Sequence, residues 1–193
     1  MVLESDLELM LRVREGDAAS FEALLHRYRV PLVSFFCRMV RDQGLAEDLA
    51  QEVFLRVYKS RERYQPEARF TTWLYRIATN LALNAIRDRK ETVCDAPGDD
   101  SDSGPILDRF ADPQPTVEQR LMRADRERLI RQAVGALPEN QRVAVILHKY
   151  QEVDYHQIAK VLSVSESAVK SLLFRAYETL RVRLEPLLRE GQI

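Results

Sequence analysis

A chain of 193 residues is long enough for one helical domain or for two small ones. Its composition is 46% hydrophobic and 31% charged, which allows a buried core beneath a hydrated surface. The formal net charge of −1 does not point to a nucleic-acid partner, although the charges are unevenly distributed along the chain. There are only 6 glycines and 8 prolines, and apolar residues recur at helical spacing almost throughout, so we predict an all-α fold.

Several classes of protein are disfavoured by what the sequence lacks. No apolar run approaches the roughly 20 residues that span a bilayer, and the N-terminal sequence MVLESDLELM has no basic stretch followed by an apolar one. The two cysteines, Cys37 and Cys94, fit a reducing compartment and form no disulfide framework. We therefore expect a cytoplasmic protein with no membrane insertion.

Three helices are predicted in the first forty residues. A short amphipathic helix over 5–15 ends at Gly16, and a second begins at Asp17 or Ser20. Pro31 suits the first turn of a third helix, because proline pre-sets φ and has no N–H to leave unpaired there.

A fourth helix follows the turn Asp42-Gln43-Gly44 and has two distinct faces. Its apolar residues recur every four positions and predict one buried stripe, formed by Leu45, Leu49, Val53 and Val57. The opposite face is polar and carries Glu47, Asp48, Gln51, Glu52 and Arg56. Composition alone favours an ordinary hydrated surface for this second face.

The stretch FTTWLYRIATNLALNAIRDRK, after a loop at Pro66, predicts a long helix with an unusual outer face. That face has few carboxylates and presents Arg76, Asn80, Asn84 and Arg87 at spacings of four, four and three. Arginine and asparagine contact base edges and phosphates, and the nearby aromatic residues Tyr64, Phe70 and Trp73 have the chemistry to stack on unpaired bases. The alternative for Trp73 is a core anchor.

Helical periodicity fails between Glu91 and Pro115, where Asp, Pro, Gly and Ser are frequent. This composition is typical of a flexible linker. We predict two small helical domains, over residues 1–90 and 116–193, joined by an acidic linker over 91–115.

The stretch DYHQIAKVLSVSESAVKSLLFR, from Asp154 to Arg175, predicts a helix-turn-helix. Asp154 is a candidate N-cap, the turn falls at Ser163, and Ser165 begins the second helix. The turn position usually favours glycine. The outer face of the second helix offers groups suited to a DNA major groove, at Ser167, Lys170, Ser171, Phe174 and Arg175. An ordinary helical hairpin with a hydrated face is the alternative.

Catalytic and metal-binding signatures are missing. The histidines His26, His148 and His156 and the two cysteines show no metal-ligand spacing, and there is no glycine-rich phosphate loop or nucleophile motif. We expect neither an enzyme nor a protein with a metal or cofactor. A free-standing helix-turn-helix regulator remains an alternative, although it would need neither the linker nor the arginine and asparagine residues.

Three motifs in this order resemble one family. DLAQEVFLRVY (48–58), FTTWLYRIATNLALNAIR (70–87) and the stretch 137–176 together resemble an extracytoplasmic-function (ECF) sigma factor of the bacterial sigma-70 family. The resemblance covers nearly the whole chain apart from the linker. It departs from the usual pattern at Leu172, where many relatives carry a basic residue, and at Ser163, in place of the common turn glycine.

The resemblance implies partners and residue roles. Residues 1–90 would be sigma domain 2, and its fourth helix would dock on the β′ clamp helices of core RNA polymerase through Asp48, Gln51, Glu52 and Phe54. The −10 promoter element would be bound and held open by Tyr64, Arg69, Phe70, Trp73, Arg76, Asn80, Asn84 and Arg87.

Residues 116–193 would be sigma domain 4, which docks on the β-flap of the polymerase and reads the −35 element. The residues expected to contact that element are Ser165, Ser167, Lys170, Ser171, Phe174 and Arg175. The family also implies an inhibitory partner, an anti-sigma factor, that could hold the protein at the membrane.

Overall fold

The computed structural model describes residues 5–66, 69–93 and 117–189, and their side chains except those of 90–93, 117–121 and 186–189. The described residues form eight α-helices and one short 3₁₀ turn, with no strand among them, which confirms the predicted all-α fold. The helices are α1 (Asp6–Arg14), α2 (Ala18–Val40), α3 (Gln43–Lys59), α4 (Phe70–Val93), α5 (Val117–Gly135), α6 (Glu139–Tyr150), α7 (Tyr155–Leu162) and α8 (Glu166–Arg189).

Side-chain caps set where these helices begin. Ser5 and Glu8 form a reciprocal capping box at α1, and the Asp17 carboxylate accepts the backbone N–H of Ala19 at the start of α2. Asp42 accepts the N–H of Leu45 at 2.9 Å, so α3 starts at once and Gly44 lies inside its first turn. Such caps are typically worth about 1 kcal/mol each.

The prediction of separate second and third helices is wrong, because α2 runs unbroken through Pro31. A proline inside a helix removes one backbone hydrogen bond and costs about 3 kcal/mol. The apolar stripe stays in phase across the proline, however, and Leu24, Leu32 and Phe35 are all fully buried on one face. Burying each such side chain contributes about 1.5–3 kcal/mol, which offsets the cost of the proline.

Helices α1 to α4, here called the N-terminal module, enclose a core of aromatic and aliphatic side chains. Phe35, Phe36 and Met39 of α2 are buried against α3 and α4, where Val53 and Leu74 are fully enclosed. The predicted apolar stripe of α3 is confirmed. Its two residues nearest the N-terminus of the helix, Leu45 and Leu49, are partly buried. This packing fixes which faces of α3 and α4 remain exposed.

Helices α5 to α8, here called the C-terminal module, contain the predicted helix-turn-helix. Asp154 caps α7 by accepting the N–H of Gln157 at 2.8 Å, and Ser165 Oγ accepts the N–H of Ala168 at 3.2 Å in α8. Between them Ser163 adopts φ 56°, and the N–H of Val164 returns to the carbonyl of Ala159 at 3.0 Å. This left-handed turn closes α7, so the helix-turn-helix prediction is confirmed.

The two modules pack directly against each other. Helix α4 lies along α7, α2 contacts both α5 and α6, and buried residues of both modules form one continuous hydrophobic cluster. The linker prediction (91–115) falls almost entirely outside the described residues, although α4 continues to Val93. The domain boundaries stay a prediction.

Candidate nucleic-acid and polymerase interfaces

The polar face of α3 is exposed, as the polymerase-docking assignment requires. Asp48 and Gln51 are exposed, and Glu52 is partly buried while its carboxylate pairs with Arg56 at 2.7 Å. Residues 48, 51, 52 and 55 lie within two turns on one side of the helix, because they follow the three- and four-residue spacing of helical neighbours. This exposed face of α3 is therefore acidic, and it includes one apolar residue, at position 55.

Phe54 does not belong to this exposed face. Its side chain is only 6% exposed and packs edge-on against Phe21, with ring centroids 6.4 Å apart. The apolar residue that α3 does present is Leu55, which is 52% exposed. Sequence reasoning missed Leu55, although its spacing from Gln51 and Glu52 could have identified it.

The ladder on α4, defined as Arg76, Asn80, Asn84 and Arg87, is exposed along its whole length. None of the four side chains forms a hydrogen bond or ion pair with another described residue. Hydrated helix faces usually pair opposite charges. A row of guanidinium and amide groups without partners among the described residues is therefore suited to binding an external polyanion. Each ladder residue thus lies where the sequence predicted.

Tyr64 and Phe70 lie in the core, and this corrects their expected role as exposed stacking residues. They are 3% and 2% exposed, and their rings pack against each other and against Trp73 and Tyr28. Burial raises the pKa of Tyr64, and its hydroxyl has no hydrogen-bond partner among the described residues. Trp73 is half-buried, so it is both a core anchor and partly accessible.

A surface cleft opens beside the ladder, between the end of α3, the 3₁₀ turn Arg61–Arg63 and α4. Its volume is about 600 Å³, within the range of ligand-binding clefts. Cationic, aromatic and amide groups line it together, at Arg56, Lys59, Arg63, Trp73 and Asn80, with Ser60, Glu62 and Ile77. This combination suits an unpaired nucleotide, since cations contact its phosphate and an indole ring stacks on its base.

The outer face of α8 presents all six predicted residues to solvent. Phe174 is 68% exposed, which is far more than a core role would allow. Three serine hydroxyls already form local hydrogen bonds, since Ser165 Oγ caps α8 and lies 3.1 Å from Ser167 Oγ, and Ser171 Oγ donates to the Ser167 carbonyl at 3.0 Å. Lys170 and Arg175 form no ion pair with the described residues, so both cations are available for phosphates or base edges.

Arg69 differs from the other predicted −10 residues because it faces the C-terminal module. Its Nη1 lies 3.7 Å from the Oδ2 of Asp154, the residue that caps α7. Both side chains are largely exposed, and such a pair is weak and easily displaced.

An apolar groove on the C-terminal module was not predicted from the sequence. It lies between α5, α6 and α8, has a volume of about 320 Å³ and is lined by Ile130, Val134, Val145, Tyr150, Tyr177, Leu180 and Leu184, with two cations at its edge. Tyr150 and Tyr177 are about two-fifths exposed there, so the groove offers apolar area to a partner.

Metal-ligand clusters and reactive thiols are the other candidate features of the described residues. The described part of the chain contains no group of three His, Cys, Asp or Glu side chains placed to hold a metal ion. Cys37 is half-buried, and burial raises the pKa of its thiol away from the range of a reactive nucleophile; Cys94 lies outside the described residues. None of the helices resolved in 5–66, 69–93 and 117–189 is long and apolar enough to cross a bilayer.

Two helical modules, one of them containing a helix-turn-helix, define a bipartite all-α protein with the elements of a DNA-binding protein. The family model of sigma-70 region 2 matches residues 24–92, and that of sigma-70 region 4 matches residues 127–180. The RNA polymerase sigma-H factor of Pseudomonas aeruginosa is 33% identical and covers 97% of this chain and 98% of its own length. The ECF RNA polymerase sigma-E factor of Haemophilus influenzae is 30% identical, covering 95% and 97%.

Two solved structures share the fold. CnrH, solved in complex with the cytosolic domain of CnrY, superposes with a TM-score of 0.70 at 19% identity and covers 95% of this chain and 99% of its own. The sigma factor RpoE of Bartonella quintana, solved with the anti-sigma factor NepR, gives 0.66 at 22% identity, covering 86% and 96%.

The chain belongs to the sigma-70 family, as an ECF RNA polymerase sigma factor. Sigma factors are non-enzymatic initiation factors that bind core RNA polymerase and promoter DNA, so the predicted family and function are confirmed. A free-standing regulator is not supported by either family match.

Proposed function

We propose that the exposed α4 ladder and the adjoining cleft bind the melted −10 element of the promoter. The observation that carries this assignment is the uncommitted row of Arg76, Asn80, Asn84 and Arg87 beside the cationic cleft that contains Trp73. A sigma factor melts DNA without ATP, so its contacts must offset the few kcal/mol that unpairing and flipping a base cost. Stacking on Trp73 contributes about 1–3 kcal/mol, which is the required scale.

Tyr64 and Phe70 support this site from beneath and are not assigned direct contacts. Their rings pack around Trp73 at centroid distances of 5.1 and 6.1 Å and so hold the indole in one orientation. We assign Arg69 a contact with a phosphate of the −10 element. This contact would replace its ion pair with Asp154.

The outer face of α8 is proposed to enter the major groove at the −35 element. Lys170 and Arg175 supply charged contacts, and the exposed Phe174 ring is suited to the methyl group of thymine. Ser165 and Ser167 lie at the N-terminus of α8, where backbone N–H groups and hydroxyls bind phosphate oxygens.

Docking on core RNA polymerase is assigned to two surfaces, one on each module. Asp48, Gln51, Glu52 and the newly identified Leu55 on α3 are proposed to contact the β′ clamp helices. The apolar groove between α5, α6 and α8 is proposed to take the β-flap. Bivalent attachment of this kind raises affinity without further contacts, provided that the modules can reach both sites.

An anti-sigma factor is a further proposed partner. CnrH and RpoE, which share this fold, were each solved with a partner protein, and that of RpoE is an anti-sigma factor. A partner that covered the α3 face or the apolar groove would block the proposed polymerase contacts.

The proposed location of the chain is the bacterial cytoplasm, because a sigma factor works with polymerase on chromosomal DNA. Attachment to the membrane through an anti-sigma factor is compatible with that assignment.

Asn80→Ala tests the −10 assignment. It removes one amide from an exposed helix position, so we expect unchanged binding to core polymerase and reduced melting of the −10 element. Permanganate reactivity of unpaired thymines measures melting, and Asp48→Ala is the reciprocal control, with weakened core binding as its expected first defect. Unchanged melting in Asn80→Ala holoenzyme would remove Asn80 from the site.

A further inference from the structure

Glu166 is an exposed carboxylate at the start of α8 that the predicted −35 residues do not include. It is the first residue of the helix, and it precedes Lys170 by four positions and Phe174 by eight. Residues with this spacing lie on one side of a helix. Because Lys170 and Phe174 are exposed on the outer face of α8, Glu166 extends that face to the N-terminal end of the helix.

The carboxylate of Glu166 is held by a histidine of the preceding helix. Its Oε1 lies 2.7 Å from Nδ1 of His156, in the first turn of α7. A carboxylate accepts hydrogen bonds and donates none, so the proton of this bond is on the imidazole. The other oxygen, Oε2, has no hydrogen-bond partner among the described residues. One oxygen is therefore fixed by the protein, and the second is open to a ligand.

The backbone on both sides of this contact is fixed by caps. Asp154 caps α7 immediately before the turn that carries His156, and Ser165 caps α8 immediately before Glu166. Between them Ser163 ends α7 in the left-handed conformation, which sets the angle between the two helices. The hydrogen bond between His156 and Glu166 spans this turn, so it orients the carboxylate relative to the whole helix-turn-helix.

This pairing differs from that of an ordinary hydrated helix face. A glutamate four residues before a lysine favours an ion pair along the helix. In the described structure the ion-pair partner of Glu166 is His156, and no ion pair joins it to Lys170. The alternative role for Glu166 is structural, because a negative charge at the N-terminus of α8 complements the helix dipole.

The position and chemistry of Glu166 suit the reading of one base. The N-terminal residues of a recognition helix are those that contact base edges in the major groove. Cytosine presents only the N4 amino donor there, whereas guanine and thymine present acceptors and adenine presents a donor beside an acceptor. A carboxylate can accept from cytosine N4 and is repelled by the acceptor atoms of the other bases. It therefore discriminates by rejection as well as by attraction.

We propose that Glu166 is a specificity-determining residue of the −35 site that selects a C·G base pair through cytosine N4, and that His156 is the positioning residue that orients it. This inference rests on the proposed placement of the −35 element on the outer face of α8.

The test of Glu166 measures base preference at each −35 position. The reconstituted holoenzyme is bound to variants of a promoter that it transcribes, in which each −35 position carries each of the four bases. Wild type should prefer cytosine at one position by about five- to 150-fold. Glu166→Ala should abolish this preference, with lower affinity for the cytosine promoter and higher affinity for the other three. Glu166→Gln should admit adenine at that position, because an amide pairs with adenine N6 and N7.

Glu178→Gln is the matched control for loss of charge. Glu178 is exposed on the same side of α8, about 18 Å further along the helix axis. Its replacement removes the same charge from the same helix, so it should change the affinity for all the promoters by one common factor. A position-specific effect of Glu178→Gln equal to that of Glu166→Ala would overturn the assignment to Glu166.

A double-mutant cycle tests the role of His156. His156→Ala should lower the cytosine preference about two- to fivefold, the effect of one hydrogen bond. It should have no effect on base preference in the Glu166→Ala background, because His156 acts through Glu166. His156→Gln should restore part of the preference, since its amide can donate to the carboxylate. An equal loss in both backgrounds would give His156 a DNA contact of its own and overturn the positioning role.

Failure of the −35 site itself gives a different result. If Lys170→Ala weakens −35 binding while Glu166→Ala leaves every base preference unchanged, the site stands and the role of Glu166 is refuted. Unchanged −35 binding in both variants would refute the placement of the −35 element on α8, and the inference with it. A uniform loss on all promoters in Glu166→Ala, with lower stability to urea, would assign Glu166 to the α8 dipole and overturn its role in specificity.

Discussion

The ring of Tyr64 packs against the ring of Trp73 with centroids 5.1 Å apart, and Tyr64 is buried while Trp73 is half-buried. One aromatic residue therefore supports the other at the edge of the cleft. The structure thus gives the two residues different roles, with Tyr64 as the buried support and Trp73 as the accessible ring. The sequence could not separate these roles, since both residues are aromatic and both lie near the start of α4.

Trp73→Leu should reduce promoter melting by the loss of one stacked base, about 1–3 kcal/mol or five- to 150-fold in the melted fraction. Trp73→Phe keeps an aromatic face and should retain most of the activity. Permanganate reactivity of −10 thymines in the reconstituted holoenzyme measures both variants. Equal melting by the leucine and phenylalanine variants would contradict a stacking role for Trp73.

Lys170→Ala and Arg175→Ala should each weaken −35 binding, by about 1–3 kcal/mol where the side chain reads a base edge. The measurement is holoenzyme affinity for promoters that differ only at single −35 positions, at two salt concentrations. A base-reading residue loses discrimination at one position when replaced. A loss of equal size on every −35 sequence, with a smaller salt dependence, would assign that residue to phosphate contacts instead.

Leu55→Ala should weaken binding to core polymerase by about 1 kcal/mol, or fivefold, because the truncated side chain buries less apolar area at the interface. Leu7→Ala on α1 is a matched control, since Leu7 is 41% exposed and lies outside the proposed interface. Affinity for core enzyme and urea denaturation are measured for both variants. Equal affinities for the two would remove Leu55 from the docking surface.

Ser163→Gly should raise the free energy of unfolding by roughly 0.5–1 kcal/mol, because glycine adopts the observed φ of 56° without steric cost. Ser163→Ala keeps a Cβ and loses the hydroxyl, so it should give no such gain. Urea denaturation compares the two with wild type. Destabilisation by glycine would mean that the Ser163 side chain contributes contacts that outweigh its strained backbone.

Much of the fold follows from local rules that the sequence displays. Asp154 and Ser165 were predicted to begin their helices and do so, and of the two predicted starts of α2, Asp17 and Ser20, the structure selects Asp17. Asp42 was predicted in a turn, and it is the N-cap of α3. The exception was Pro31, where a local rule suggested a break and an uninterrupted apolar stripe held the helix together.

The site was predicted less completely, because residue type does not report burial. Phe54 and Leu55 are adjacent apolar residues, and residue type alone does not tell which is buried; the packing of α3 buries Phe54, and Leu55 faces outward beside Gln51 and Glu52. Tyr64 and Phe70 have the chemistry for stacking but are enclosed by the N-terminal module. The exposed positions on α4 and α8 were predictable, because polar residues on the side of a helix opposite its apolar stripe face solvent.

Contacts between the modules lay beyond sequence reasoning. Tyr75 and Gln151 meet across 76 residues of chain, and nothing in their local spacing indicates that pairing. The same is true of the apolar groove, whose wall combines three helices that are separated in sequence.

The central claim is tested most directly by run-off transcription with core RNA polymerase, with and without this chain, on a library of genomic promoters. We predict specific transcripts whose start sites share one pair of −35 and −10 motifs. Asn80→Ala should reduce these transcripts at the melting step, and Lys170→Ala should reduce them at promoter binding. A folded chain that binds core polymerase and yields no specific transcript would contradict the account.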